Sequence, residues 1–406
     1  MSKPINTQQS LPVGSAQTYF KNQSVVAYQE KDSKQGGSSA SSSSQSSIKN
    51  IAWNSTGTRI AVAYSDARIR VWIAGNTEVN TSTEIPYSSS KSQKAVVGLA
   101  WSPISPDQLA TCSLDGTLKV WDTRTKTLLA SVNTGADNLA CLWSPCGRYI
   151  SVLRRDNAIL WYAPSFNGEV AEPAPSTNIG GRQNGGKDSQ RSRGAPKIAI
   201  GAMEAFGNPI AAYKESPYEI FAATWTNTTA VMAITMGIGV VKLLKLNLQT
   251  AATSEEVEKV VTSSQSLSTS NVTTLFELLG HTTAANCVKP DPQGRYIAVG
   301  GNEGIVSLWD TKELVCVKTL SKHDQPVVSL DFSHDGDYIA VGYDNNDIPV
   351  DIVHVDTGKF VHAVSRPRWT GLPVVAWSPV KYNLAFSGDV AGLNVITVGG
   401  NRPSGY

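Results

Sequence analysis

Five histidines (His281, His323, His334, His354 and His362) and five cysteines (Cys112, Cys141, Cys146, Cys287 and Cys316) are the residues of this chain best suited to nucleophilic, acid–base or metal chemistry. Their spacing argues against all three. No two cysteines stand as Cys-x-x-Cys, and no histidine falls at a metal-ligand spacing from one. The histidines accompany no recurring Ser or Cys that would serve as a nucleophile. Gly300-Gly301-Asn302-Glu303-Gly304 has the glycines of a phosphate-cradling loop but lacks the Lys-Ser/Thr ending that reaches phosphate and magnesium. The residues therefore predict no catalytic site, no metal site and no cofactor.

The acids are more regular. Asp66, Asp115, Glu303 and Asp389 each precede an apolar residue by six positions: Trp72, Trp121, Trp309 and Val395. A carboxylate in a tight turn between two strands accepts backbone N–H bonds and holds a neighbouring hydroxyl or imidazole. One active site needs one such acid, whereas a repeated structure needs one per repeat. These four are read as structural turn acids.

The elements that carry them recur about seven times. Each copy has an apolar pair, then Trp-Ser-Pro or a variant, a polar turn, a short apolar strand, the acid, and a second apolar strand. The first aromatic or its substitute stands at Trp53, Trp101, Trp143, Trp225, Pro290, Phe332 and Trp377. Four intervals are 42 to 48 residues; the other two are 82 and 65. A unit of roughly 40–45 residues is the period of a four-stranded propeller blade. The long intervals require insertions, and residues 164–196 and 248–270 supply them, rich in Ser, Gly, Asn and charge. Both are read as solvated polar loops. The expected fold is all-β, a seven-bladed β-propeller over residues 48–400, with a short tail at 401–406. Pro290 predicts an irregular inner strand in the fifth copy, and the fourth copy has lost most of the signature.

Residues 1–47 form a separate segment. Ser24 to Gln29 reads as a strand, and 36–47 is a Gly/Ser connector. The last repeat runs nearly to residue 400, leaving little chain for its outer strand. The strand at 24–29 is therefore expected to complete that blade and close the ring, which removes two free sheet edges.

Composition bounds the partners. A formal charge of +2 on 406 residues is too small to argue for nucleic acid. There is no run of 18 apolar residues to span a bilayer, and Met1 to Ser10 lacks an apolar leader. The cysteines sit in apolar, strand-like surroundings and are expected to be reduced. Two local features favour contacts. Arg182, Lys187, Arg191, Arg193 and Lys197 form a basic stretch suited to an RNA backbone, without the aromatic residues that stack on bases. Arg366-Pro367-Arg368-Trp369 is a basic, aromatic segment between repeats and a candidate protein contact.

Specific residues extend the repeat to a family. Val120-Trp121-Asp122-Thr123-Arg124-Thr125, Val306-Ser307-Leu308-Trp309-Asp310, Phe332-Ser333-His334-Asp335-Gly336 and Val375-Ala376-Trp377-Ser378-Pro379 resemble the WD40 proteins. Among these, the block from 305 to 336 is similar to the family of third subunits of THO complexes. That resemblance implies a nuclear, non-enzymatic scaffold within TREX, coupling transcription to messenger-ribonucleoprotein assembly and mRNA export. It also implies other THO subunits as partners, a large helical one among them, with RNA touched indirectly or weakly. Two other readings stay open: a general WD40 adaptor such as a ubiquitin-ligase substrate receptor, and a propeller that binds RNA through the basic stretch at 182–197.

Overall fold

A computed structural model of the chain describes residues 13–28, 46–76, 82–86, 94–166, 203–228, 230–247, 250–345, 347, 350–364, 372–387 and 392–397. Among these, seven antiparallel sheets of four or five strands account for all but one small hairpin. Each sheet is a blade, and its innermost strand contacts the innermost strands of both neighbours, so the seven form a closed ring. Blade one is Ile48–Trp53, Arg59–Tyr64, Ile69–Ile73 and Thr83–Ile85. The order from inside to outside follows the chain, and each pair is a simple hairpin.

Packing explains the strand composition. Gln108–Ser113, Ile150–Arg154 and Tyr338–Tyr343, the second strands of blades two, three and six, are buried at every position. A sheet stacked between two others buries both faces, so such strands read as unbroken runs of apolar and small residues. Alternate side chains then serve opposite junctions. In blade two, Ala110 and Cys112 pack toward blade three, while Leu109 packs toward blade one. Seven apolar clusters result, one at each junction.

The seven aligned residues Trp53, Trp101, Trp143, Trp225, Pro290, Phe332 and Trp377 each end an inner strand. Three of the indoles stitch neighbouring blades: Trp53, Trp101 and Trp143 donate their Nε1–H to the carbonyls of Ala376, Ala52 and Ala100 at 3.0, 3.0 and 3.1 Å. Pro290 and Phe332 have no such donor. The inner strand of blade five, expected to be irregular, is as regular as the others. Ala285–Pro290 pairs with Tyr296–Gly301 with one bulge near its start, at the place where blades one, two, three, four and six carry theirs. Pro290 is tolerated because it sits at the strand's last position, where it interrupts no ladder. Blade four, with its weakened signature, still forms Ile220–Trp225, Val231–Met236, Val240–Leu246 and Val272–Leu279.

Ser24–Tyr28 pairs antiparallel with Leu393–Thr397 as the outer strand of blade seven. Tyr28 is fully buried, its ring stands edge-to-face with Trp72 of blade one at a centroid separation of 5.4 Å, and its hydroxyl accepts the Gly75 N–H at 2.8 Å. A helix not anticipated from the sequence, Val13–Lys21, precedes it. Phe20 of that helix is buried against Tyr338, Trp377 and Tyr382 of blades six and seven.

The insertion at 248–270 is not a solvated loop. Ser254–Thr262 is a helix with Thr253 as N-cap, and Thr253 and Glu256 form a reciprocal capping box. Its Val257 and Val260 are buried at the junction of blades two and three. Leu267–Ser268 then adds to blade three as a fifth strand, beside Tyr213 and Lys214. The Thr-x-x-Glu cap ahead of an apolar pair was the legible signal. Of the insertion at 164–196, Pro164–Phe166 pairs with Met203–Phe206, and the remainder lies outside the described residues.

Candidate partner interface

Antiparallel blades give the ring two faces. One carries the turns between second and third strands and the links from each outer strand to the next inner strand. The other carries the ends of the inner strands and their tryptophans. Asp66, Asp115 and Glu303 all fall in turns on the first face. Asp389 lies outside the described residues, as do Arg366, Arg368, Trp369, Arg182, Lys187, Arg191, Arg193 and Lys197.

Each described turn acid is occupied. Asp66 accepts the Arg68 backbone N–H at 3.2 Å and its guanidinium at 2.7 Å. Asp115 accepts the Thr117 N–H at 2.8 Å, the Thr117 hydroxyl at 2.6 Å and the Ser113 hydroxyl. Burial opposes ionisation of Asp115, but those hydroxyl and amide donors outweigh it and hold its carboxyl below the usual range. Gly116 follows with φ +80°, in the left-handed region that lets the turn close. Asp115→Ala should therefore cost about 1–3 kcal/mol, because the Ser113 hydroxyl and the Thr117 hydroxyl and N–H lose their shared acceptor. The loss should fade as pH falls through the lowered carboxyl pKa, since protonation removes the same interaction from the wild type. Urea melts of both proteins at neutral and acid pH check this; equal midpoints at pH 7 would remove the structural role.

Glu303 belongs to a chain that resembles a catalytic relay. His281 Nδ1 lies 2.5 Å from Glu303 Oε1, and His281 Nε2 lies 2.6 Å from Ser307 Oγ. Sequence spacing gave no serine to any histidine; folding brings one from the third strand of blade five to the link before that blade. Ser–His–acid order alone would suit acyl transfer. Two facts decide against it. Ser307 is 1% exposed, and its oxygen already accepts the Trp309 Nε1–H at 2.8 Å. With the proton assigned to Nδ1, every member is satisfied: indole to hydroxyl, hydroxyl to imidazole, imidazole to carboxylate. A buried serine inside a complete network pins a turn and meets no substrate. Thr283 adds its hydroxyl to Glu303, and these bonds outweigh burial to keep the Glu303 carboxyl low.

Other polar sites received no assignment from the sequence. His323 Nε2 meets Asp351 Oδ2 at 3.0 Å, and Lys322 Nζ meets Asp351 Oδ1 at 2.7 Å, pinning the entry to blade six. Arg154, almost fully buried, holds Asp156 through two bonds and donates to the Thr134 carbonyl at 2.8 Å. At the centre of the ring is a cavity of about 510 Å³ lined by inner strands, including Trp53, Trp101 and Trp377. Lys289 and Asp331, on adjacent inner strands in its wall, pair at 3.5 Å, and the Trp377 backbone N–H donates to Asp331 at 2.6 Å. Burial pushes the Asp331 carboxyl up against the pull of those two donors. The signal for His323 was the Ser-Lys-His-Asp run at the place where blade five has Gly280-His281. Lys289 and Asp331 gave none, since their blades meet only in three dimensions.

A closed ring of seven stacked blades with buried turn pins matches a known architecture. The WD domain, G-beta repeat model matches residues 38–72, 86–122, 272–310 and 314–348. The chain is an all-β, seven-bladed β-propeller that carries WD40 repeat matches in those four stretches. The solved β-propeller domain of Myceliophteria thermophila Cps50 (Swd1) superposes with a TM-score of 0.61 at 13% identity, covering 87% of this chain and 96% of that one. At that identity the likeness shows the fold alone. Sequence carries the resemblance further. THO complex subunit 3 of Arabidopsis thaliana is 27% identical over 84% of this chain and 86% of its own length. WD repeat-containing protein AAC3 of Dictyostelium discoideum is 25% identical over 70% of this chain but only 51% of that protein. The WD40 matches leave out the closing strand and the N-terminal helix, residues 123–271, which hold blade three, the three inner strands of blade four and the helix at Ser254–Thr262, and residues 349–406, which hold the outer two strands of blade six and the three inner strands of blade seven.

Proposed function

We propose that this chain is the WD40 scaffold subunit of a THO complex, acting in the nucleus through protein–protein contacts in the coupling of transcription to mRNP assembly and mRNA export. The observation that carries this reading is the match to a THO complex subunit 3 along nearly the whole of both chains, in contrast to AAC3, of which the chain covers about half. The site chemistry agrees with it. The one Ser–His–acid set found among the described residues is buried in a structural network, so the ring offers rigid faces to partners. Within this reading, Arg366, Arg368 and Trp369, in the link between blades six and seven, are assigned as partner contacts.

The test is purification of the tagged chain from nuclease-treated extract. Stoichiometric recovery of other THO subunits, a large helical one among them, is the expected result. Recovery of ubiquitin-ligase subunits in their place would overturn the assignment in favour of a general adaptor. Arg366→Ala with Arg368→Ala and Trp369→Ala should reduce the recovered subunits without lowering the melting temperature.

A further inference from the structure

We propose that the open edge of the outer strand of blade four, Val272–Leu279, takes an extended segment of a partner subunit as a fifth strand; this rests on the scaffold reading above. Outer strands are the exposed edges of a propeller, and here most are short or covered. Blade one ends in three residues, Thr83–Ile85. The outer strand of blade two contacts the hairpin strand Met203–Phe206. Blade three is covered by Leu267–Ser268, and blade six by the N-terminal helix, through Ala16 and Phe20 against Val361 and Val364. Blade seven ends in the five-residue strand Ser24–Tyr28. The outer strand of blade five carries Lys318, the kind of charge that blunts an edge.

Among the described residues, blade four has none of these devices. Its outer strand is eight residues, the longest of the seven, with no lysine or proline. Thr273 to Glu277 are exposed without a break. Leu275, Phe276 and Leu279 are 50, 46 and 70% exposed. Leu275 is the extra residue of a bulge and is pushed outward. The single charge, Glu277, is half-exposed and lies 3.5 Å from Lys242, which Glu215 already holds at 2.8 Å, so the strand carries one carboxylate and no cation. A long, largely apolar edge with one charge leaves a row of backbone groups free to template another strand.

The molecule shows how such an edge is met. On the neighbouring blade, a segment remote in sequence adds as a fifth strand, Ser268 opposite Tyr213 and Leu267 opposite Lys214. The same mode suits blade four. The occupant is an extended, largely uncharged segment of about eight residues, about 26 Å long, with apolar side chains at alternate positions.

The experiment compares amide hydrogen exchange in the full chain alone and in the assembly co-purified through it, beside a Phe276→Glu/Leu279→Glu variant and a Leu128→Glu control on blade two. Strand addition predicts that amides within Thr273–Leu279 exchange at least about tenfold more slowly in the assembly. The double variant should recover about tenfold less of the other subunits, with its melting temperature unchanged and the control unaffected. Recovery of those subunits with edge amides as fast as in the isolated chain, as a helix laid over the apolar side chains would give, overturns the docking proposal alone. So does an isolated chain that is a dimer dissociated by the double variant, because the occupant is then a second copy. A wild-type chain that recovers no THO subunit overturns both this proposal and the scaffold reading.

Discussion

Removing residues 1–35 leaves a protein that does not fold to a soluble monomer, or that melts at least about 10 °C below the full chain. The deletion takes away the outer strand of blade seven and the helix before it. Leu393–Thr397 loses its partner strand, and the ring opens beside blade one. Two large buried side chains go with it. Phe20 is 2% exposed within an aromatic group, and Tyr28 is fully buried between blades seven and one. Truncating a buried aromatic costs about 3–5 kcal/mol. Two of them approach the entire stability of a typical domain, about 5–15 kcal/mol. Phe20→Ala isolates one of the two contributions and keeps the strand. It should lower the melting temperature by about 5–10 °C, given the shallow slope of melting temperature on stability in large domains. Thermal melts of the three proteins decide it: a truncated chain that melts within about 2 °C of the full one does not use this strand for closure.

Glu215→Ala should cost about 3–5 kcal/mol, the penalty for leaving a mostly buried cation without its partner. Glu215 is 3% exposed and ties three parts of the chain together. It accepts Lys242 of blade four at 2.8 Å, the hydroxyl of Ser266 from the insertion at 2.7 Å, and the hydroxyl of Tyr213 in blade three. Without it, Lys242 keeps only the weaker contact with Glu277. Burial raises the Glu215 carboxyl pKa, but Lys242, Tyr213 and Ser266 outweigh burial, and the folded pKa lies below the ordinary one. The sign follows. The stabilisation is present above the unfolded carboxyl pKa and is lost as pH falls through the lower, folded one. The gap in stability between wild type and Glu215→Ala should thus be widest near neutrality and close in acid. Burial and the Glu215 charge together push the Tyr213 phenol up, so that partner stays protonated throughout. Denaturant titrations at several pH values test this, and a gap that does not narrow in acid would assign the loss to packing.

The ring was legible because a propeller repeats one solution. Trp53, Trp101, Trp143, Trp225, Pro290, Phe332 and Trp377 each end an inner strand, and that position recurs because every blade buries the same corner against its neighbour. Asp66 and Asp115 draw donors from within two residues, Arg68 for the first and Ser113 and Thr117 for the second. Local geometry is written in local sequence.

Contacts between distant residues were not. The Glu303–His281–Ser307–Trp309 network spans the link into blade five and that blade's third strand, and neither separation is a motif. The helix at Ser254–Thr262 looked solvated because its polar face dominates the composition. Val257 and Val260 become core only when blade four's insertion reaches back to blades two and three. Lys289 and Asp331 meet only because adjacent inner strands converge on a common axis. The open edge of blade four is likewise a tertiary fact. Val272–Leu279 reads like any outer strand, and only the assembled ring shows that its neighbour on blade three has a fifth strand while no strand among the described residues pairs with its own outer edge. Periodicity in one chain determines which strands form and how many blades they build. Which edges, cavities and buried charges result depends on where the blades and insertions meet in space, and sequence spacing does not measure that distance.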